Sequence, residues 1–388
     1  MAIPLSYSYR NLLARRLTSF LTAAGMALVV FVFAAALMLT EGLRRTLVAT
    51  GSRDNAVILR AGSETEVQSV IDRSQAAIIL ASPEIAHAAD GRLGAAEAIV
   101  LINLPKRLTG RPANIMIRGA ELPASLAVRR EVRLKEGRWF RPGSNELVVG
   151  QQVAERFQNA ALGGVLRFAM RDWQVVGVFD AGNTGFASEI WGDREQLLQA
   201  FRRTAFSSVI VRLRQSGDFE ALKARLEADP RLPVQVRREV EFYEAQSRRL
   251  ADFIRLLGLV LTGIFGLGAV LGAMVTMYAQ VGTRVSEIGT LRALGFLRRD
   301  ILLAFLVESA LLGLAGWLLG LLPASLLNFY TLSTVNWASF AELTFRFSLT
   351  GAIVLKSLAF GVGMGLLGGL LPAIKAARLP LIEALRAQ

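Results

Sequence analysis

Long stretches without a charged residue constrain this chain more than any other feature. Residues 17–40 are 24 consecutive uncharged positions, and residues 256–283 are 28. A third run, after Asp300, is interrupted only by Glu308 and then continues uncharged to Ala341, and a fourth, residues 347–374, is broken only by Lys356. A helix needs about 20 apolar residues, at about 1.5 Å each, to cross a bilayer core, so each run holds a span. The first is too long for the apolar segment of a signal peptide, which runs to about 7–15 residues. The third is longer than one helix needs. It predicts a span to about Leu322 and then an exposed loop, marked by Pro323 and the polar, aromatic stretch 328–337. The predicted spans are 17–42, 251–281, 300–325 and 347–374.

Orientation follows from the short flanks, because Lys and Arg mark the cytoplasmic side. Arg10, Arg15 and Arg16 precede the first span, and Arg284, Arg292, Arg298 and Arg299 lie between the second and third. Lys375, Arg378 and Arg386 follow the fourth, whereas the loop 326–346 offers only Arg346. The predicted cytoplasmic segments are therefore 1–16, 282–299 and 375–388. Residues 43–250 and the loop 326–346 fall outside.

The insert 43–250 has its own folding pattern. Short β-type runs recur at 56–60, 98–103, 114–118, 146–150, 165–169 and 174–179, punctuated by Gly, Pro and Asn. Amphipathic stretches at 151–157 and 193–201 read as helices. A second lobe follows, as strand 207–213, helix 218–228 and strand 233–237. The fold class is thus an α-helical membrane protein of four transmembrane helices, with a large α+β extracytoplasmic domain of two lobes between helices 1 and 2. Residues 41–49 and 241–255 read as helical extensions of spans 1 and 2, on which that domain stands.

The formal charge of +13 raises the question of nucleic acid, but Lys and Arg are spread along the chain and no nucleic-acid motif occurs. No Cys is present, which excludes disulfides, thiolate metal sites and a Cys nucleophile. The one His, His87, gives no basis for a metal cluster or a hydrolase site. No metal site and no catalytic cluster is predicted.

Between spans 2 and 3, Val281, Val285, Ile288, Leu291 and Leu294 recur at helical spacing on one side, and Arg284, Glu287 and Arg292 fall largely on the other. Such an amphipathic helix suits docking to a soluble partner, and equally an interfacial helix that only anchors. Glu308 and Lys356 are the charges inside the runs, and intramembrane charges are functional candidates by default. At 1.5 Å per residue they lie roughly 12 Å from the inner end of span 3 and roughly 14 Å from the outer end of span 4. An ion pair between them is geometrically open, as is separate snorkelling. Glycines repeat four residues apart at Gly361, Gly365 and Gly369, at Gly316 and Gly320, and at Gly268 and Gly272. Small residues at this spacing let helix backbones approach closely, without naming an interface.

The pattern Arg-x-x-Glu-Ile-Gly-x-x-Arg-Ala-x-Gly, from Arg284 to Gly295, resembles the segment after the second span in the MacB/FtsX-like ABC permeases. Three further stretches are similar to that family: Asn11-Leu12-Leu13-Ala14-Arg15-Arg16 as an amphipathic lead-in helix, Glu308 to Gly316 in span 3, and the closing Pro372-Ala373, Ala376-Ala377, Pro380 and Ala384-Leu385-Arg386. The insert resembles the MacB-type periplasmic core in Gly137-Arg138-Trp139-Phe140, Glu146-Leu147-Val148-Val149-Gly150 and Val175-Val176-Gly177-Val178. The resemblance implies a permease in the bacterial inner membrane with both termini cytoplasmic. It implies pairing with a second copy or with another permease, and a cytoplasmic ABC ATPase that docks on Arg284, Glu287, Ile288, Gly289, Arg292, Ala293 and Gly295. It leaves a periplasmic adaptor and an outer-membrane channel open as further partners. No Gly-x-x-x-x-Gly-Lys-Ser/Thr phosphate loop occurs in the sequence, so ATP is expected on the partner, with no cofactor here and no enzyme activity of the chain itself. The function implied is export or extraction of a substrate by mechanotransmission. The alternative is an FtsX-like regulator that activates an extracytoplasmic partner such as a cell-wall hydrolase.

Overall fold

The computed structural model describes Leu12 and residues 16–88, 91–336 and 339–380. The lead-in helix expected over 1–16 and the closing Ala384-Leu385-Arg386 lie outside the described residues. Among the described residues four helices are long and apolar enough to cross a membrane: Arg16–Thr50, Leu250–Thr283, Arg298–Phe329 and Gly351–Arg378. The chain divides into two compact units. One holds the described residues up to 41, 252–330 and those from 347; the other holds 42–251 and 331–346.

In the membrane unit the glycine repeats find their use. A Cβ on Gly313 would lie 2.5 Å from the Gly361 carbonyl oxygen, and one on Gly365 would lie 2.4 Å from that of Ser309. Spans 3 and 4 therefore touch backbone to backbone. Gly320 brings span 3 equally close to the Ala27 carbonyl of span 1, and Gly368 packs on Ala273 of span 2. In a bilayer, where apolar burial between helices gains little, such close packing is a main source of association. The Trp317 indole N–H adds a bond to Ser357 Oγ at 3.1 Å between spans 3 and 4. Gly268 and Gly272 meet nothing within 4 Å and line an apolar groove of about 710 Å³ with residues of span 1 such as Gly25 and Thr22.

Two boundaries differ from the sequence reading. Span 3 does not stop at Pro323; its helix runs Arg298–Leu326 with the proline inside. Proline removes the amide bond to the Leu319 carbonyl, a loss that membrane helices tolerate because neighbouring groups and local adjustment re-satisfy the freed carbonyl. Span 4 starts at Gly351, not 347, because Thr350 Oγ1 accepts the Ile353 amide as an N-cap.

The inserted unit is built on one sheet of ten strands. In spatial order these are Val234–Arg238, Asn55–Arg60, Ser208–Arg212, Gly94–Pro105, Pro112–Ala120, Glu189–Asp193, Glu146–Gly150, Arg171–Asp180 and Arg133–Gly137, with Val165–Phe168 also paired to Arg171–Asp180. The two lobes share this sheet through the 12-residue strand Gly94–Pro105. One apolar core gathers Ile58, Ile79, Val209 and Leu222; the other gathers Ile117, Val149, Trp173 and Ile190. Helix Arg73–Leu80, capped by an Asp72/Gln75 box, and strands Glu189–Asp193 and Arg133–Gly137 were not expected from the sequence.

At the seam of the lobes lies a buried charge network. Arg118, fully buried, donates to Glu66 at 3.0 Å, to Glu97 at 2.7 Å and to Glu189 at 2.8 Å. Arg129 also binds Glu97, and its guanidinium lies over the rings of Phe186 and Trp191. Ser208 Oγ donates to Glu66 Oε1 and the Trp191 indole N–H to Glu189 Oε2, oxygens that Arg118 also binds. Buried charges persist only when paired and hydrogen-bonded in this way.

The segment after span 3 is not an exposed loop. Thr331–Val335 and Glu342–Arg346 form an antiparallel hairpin belonging to the inserted unit. Lys106 Nζ meets the buried Glu342 at 2.7 Å, and the Thr344 amide donates to Ser188 Oγ. Asn336 Nδ2 donates to Gln246 Oε1 on the helix Glu239–Thr283. The helices Arg16–Thr50 and Glu239–Thr283 run unbroken through the segments 41–49 and 241–255.

Candidate functional site

The long helix Glu239–Thr283 ends one residue before Arg284, whose backbone (φ −120°, ψ 19°) breaks the helical path. A new helix, Val285–Ala293, begins at once. Gly295 at φ +95° ends it: the Gly295 amide donates to the Arg292 carbonyl and the Phe296 amide to the Leu291 carbonyl. This is the Schellman arrangement, and it needs a residue free to adopt positive φ. The chain then enters span 3 at Arg298.

The helix has an inner and an outer face, though not the pair read from spacing. Ile288 and Gly289 are buried, with Ile288 packed among Met277, Val281, Ile301 and Phe305. Glu287, Thr290, Ala293, Leu294 and Gly295 are exposed. Leu294, expected on the apolar side, is 70% exposed, because the helix ends before it and the chain turns away. Arg284, expected on the charged outer face, is turned inward and only 5% exposed. Its position at the helix break, outside the Val285–Ala293 register, removes it from the helical wheel on which that face was drawn. Arg292 is half-buried, and its guanidinium donates to the Leu379 carbonyl at 2.6 Å.

Arg284 explains one of the intramembrane charges. Its Nη1 meets Glu308 Oε2 at 3.0 Å, its Nε meets Glu287 Oε2 at 3.1 Å, and its guanidinium stacks over Phe305. Glu308 is 4% exposed. Of the two arrangements left open for Glu308 and Lys356, the ion pair is not the one found: Glu308 turns to the break before the short helix, and Lys356 is exposed on span 4 and forms no ion pair among the described residues. Residues 24 apart and on different helices carry no local signal of contact, so sequence spacing could not find this pair. Among the described residues no group of three His, Cys, Asp or Glu side chains could hold a metal ion.

Four membrane-type helices, a ten-stranded α/β insert between the first two and a short surface helix between the second and third describe a polytopic permease-like architecture. Two family models match in the same order: the MacB-like periplasmic core domain over residues 19–229 and the FtsX-like permease C-terminal region over residues 259–381. The chain belongs to the MacB/FtsX-like family of ABC transporter permeases, which are proteins of the bacterial inner membrane. It is 27% identical over 274 residues to the macrolide export ATP-binding/permease protein MacB of Bdellovibrio bacteriovorus, covering 64% of this chain and 41% of that protein. It is 27% identical over 263 residues to the uncharacterized ABC transporter permease YknZ of Bacillus subtilis, covering 64% of this chain and 63% of that one. The chain thus spans about two fifths of the length of the MacB proteins it matches. The periplasmic region of MacB from Actinobacillus actinomycetemcomitans is similar at 12% identity and a TM-score of 0.38, over 51% of this chain and 94% of that structure.

Proposed function

We propose that this chain is the permease subunit of an ABC transporter and converts ATP hydrolysis by a cytoplasmic ATPase, lying outside these 388 residues, into movement of its extracytoplasmic domain. The observation that carries this reading is the helix Val285–Ala293. Its inner face is anchored on the spans, and its outer face presents Glu287, Thr290, Ala293 and Leu294 to a partner. The Lys and Arg bias of the flanks supports a cytoplasmic position for this helix and both termini. The ATPase docks there, two permease copies pair, and nucleotide binding favours one arrangement of the spans over another. The unbroken helices Arg16–Thr50 and Glu239–Thr283 carry that change outward. The work done is export or extraction of a substrate, with an adaptor and an outer-membrane channel as further partners.

The test is ATP hydrolysis by the co-purified ATPase with the chain in lipid nanodiscs. Ala293→Arg, an exposed change that leaves the Arg284–Glu287 contact in place, lowers permease-stimulated hydrolysis by about tenfold or more, as expected for a docking anchor. Normal stimulation in this variant would remove the helix as the docking site.

A further inference from the structure

The buried ion pair between Arg284 and Glu308 does more than satisfy two charges. Arg284 sits at the one residue where the chain passes from the helix Glu239–Thr283 to the helix Val285–Ala293. The Arg284 amide donates to the Val281 carbonyl in the first of these, and the Ile288 amide of the second donates to the Arg284 carbonyl. The side chain reaches Glu287 in the first turn of the short helix at 3.1 Å and Glu308 of span 3 at 3.0 Å. One residue thus joins the end of span 2, the docking helix and the middle of span 3.

The energetics argue that this is not a device for stability alone. Desolvating a carboxylate and a guanidinium costs several kcal/mol each, and an apolar pair of similar volume commonly serves stability as well or better. What the ionic pair supplies is direction. A planar guanidinium that holds Glu308 through Nη1 and Glu287 through Nε fixes distance and angle between two helices, whereas apolar contacts let helices slide. We infer that Arg284 and Glu308 are positioning residues that lock the docking helix to span 3, so that force received at the helix surface enters spans 2 and 3 together. This inference rests on the permease reading above. Without the lock, the docking helix still binds the ATPase but pivots at Arg284, and the push is lost within the hinge.

The experiment separates binding from transmission. ATPase affinity and stimulation at saturating ATPase are measured for wild type, for Arg284→Met/Glu308→Leu and for Glu308→Gln. In the double variant neither member of the pair is left as a lone buried charge. It is expected to bind the ATPase as wild type does while stimulation falls about tenfold, within the usual range of site-to-site coupling. Glu308→Gln keeps an acceptor for Arg284 without the charge, and it gives an intermediate stimulation at unchanged affinity. Wild-type stimulation in the double variant overturns the lock and leaves the permease reading standing. Parallel loss of affinity and stimulation also overturns it, since the pair then only shapes the docking surface. If the double variant does not fold, Glu308→Gln decides: full stimulation overturns the lock, and reduced stimulation at unchanged affinity supports it. A wild-type chain that binds the ATPase without stimulating it removes the permease reading and the lock with it.

Discussion

Replacing Arg118 by Leu is expected to destabilise the inserted domain by about 3–5 kcal/mol, the usual cost of removing one partner from a buried ionic cluster. Glu66, Glu97 and Glu189 all direct carboxylate oxygens at this one guanidinium, and none is more than 6% exposed. Without it three carboxylates face each other, with Arg129 bonded to Glu97 as the remaining cation of the cluster. Domains of this kind are stable by only about 5–15 kcal/mol, so the loss is a large share of the total. The check is denaturant unfolding of the detergent-solubilised chain, followed by the fluorescence of Trp173 and Trp191, both fully buried in this domain. Arg73→Ala is the control. It removes an ion pair to Glu195 whose side chains are 53% and 41% exposed, and such pairs contribute less than about 1 kcal/mol. Equal stability of the Arg118 and Arg73 variants would contradict this account of the seam.

The second large effect is a dependence on pH centred on Glu239. This residue opens the helix that becomes span 2, and its Oε2 accepts the Ser52 amide at 2.9 Å and Asn55 Nδ2 at 2.8 Å. Ser52 and Asn55 follow the outer end of the span 1 helix, and a Cβ on Gly51 would lie 2.6 Å from the Glu239 backbone. Glu239 therefore pins the start of its own helix to the segment that follows the helix Arg16–Thr50. Burial pushes its carboxyl up to about 7, against the opposing pull of Arg129. A carboxyl raised on folding binds more protons in the folded than in the unfolded state between its two pKa values. Stability then falls as pH rises from about 4.5 to about 7 and is level above that. At about 1.4 kcal/mol per unit, the fall is on the order of 3 kcal/mol. Glu97 works in the opposite sense at lower pH: Arg129 and Arg118 outweigh its burial and hold it below the usual range, so its contribution is lost on acidification. The folded chain is expected to be most stable near pH 5. Glu239→Gln flattens the decline between pH 5 and 7 in thermal unfolding, and an unchanged slope would show that another group titrates there.

The four spans were legible because lipid tolerates so few charges: runs of this length have one economical structure. Strand Glu146–Gly150 formed over the stretch expected of it, since five residues bounded by turn signals and buried on both faces leave few alternatives. The hairpin Thr331–Arg346 was missed for the opposite reason. Its first strand falls in the polar, aromatic stretch that reads as a loop, and long-range contacts such as Lys106 with Glu342 and the Thr344 amide with Ser188 give it order. Helix Arg73–Leu80 carried a usable signal, Asp72 with Gln75 three residues on, ahead of an apolar run. The seam network had none. Glu66 and Arg118 are 52 residues apart and Arg118 and Glu189 are 71; sheet pairing sets the strand of Arg118 beside that of Glu189, and the turn Glu66–Gln68 brings in Glu66. The motif from Arg284 to Gly295 located the surface helix, but helical spacing misplaced two of its side chains. Arg284 belongs to the turn before the helix and Leu294 to the turn after it.

The absence of cysteine makes the central claim directly measurable, because two introduced cysteines are the only labelling sites. Leu108, 97% exposed on the inserted domain, and Leu297, 49% exposed just past the docking helix and outside its partner-facing residues, can each be replaced without disturbing a core. With spin labels at both positions and the ATPase bound, pulsed electron resonance gives the distance between them without nucleotide and with ATP held unhydrolysed. Coupling between the docking helix and the outer domain predicts two different distance distributions, and a return to the first after hydrolysis. One distribution under all three conditions, with the ATPase still turning over, would contradict it.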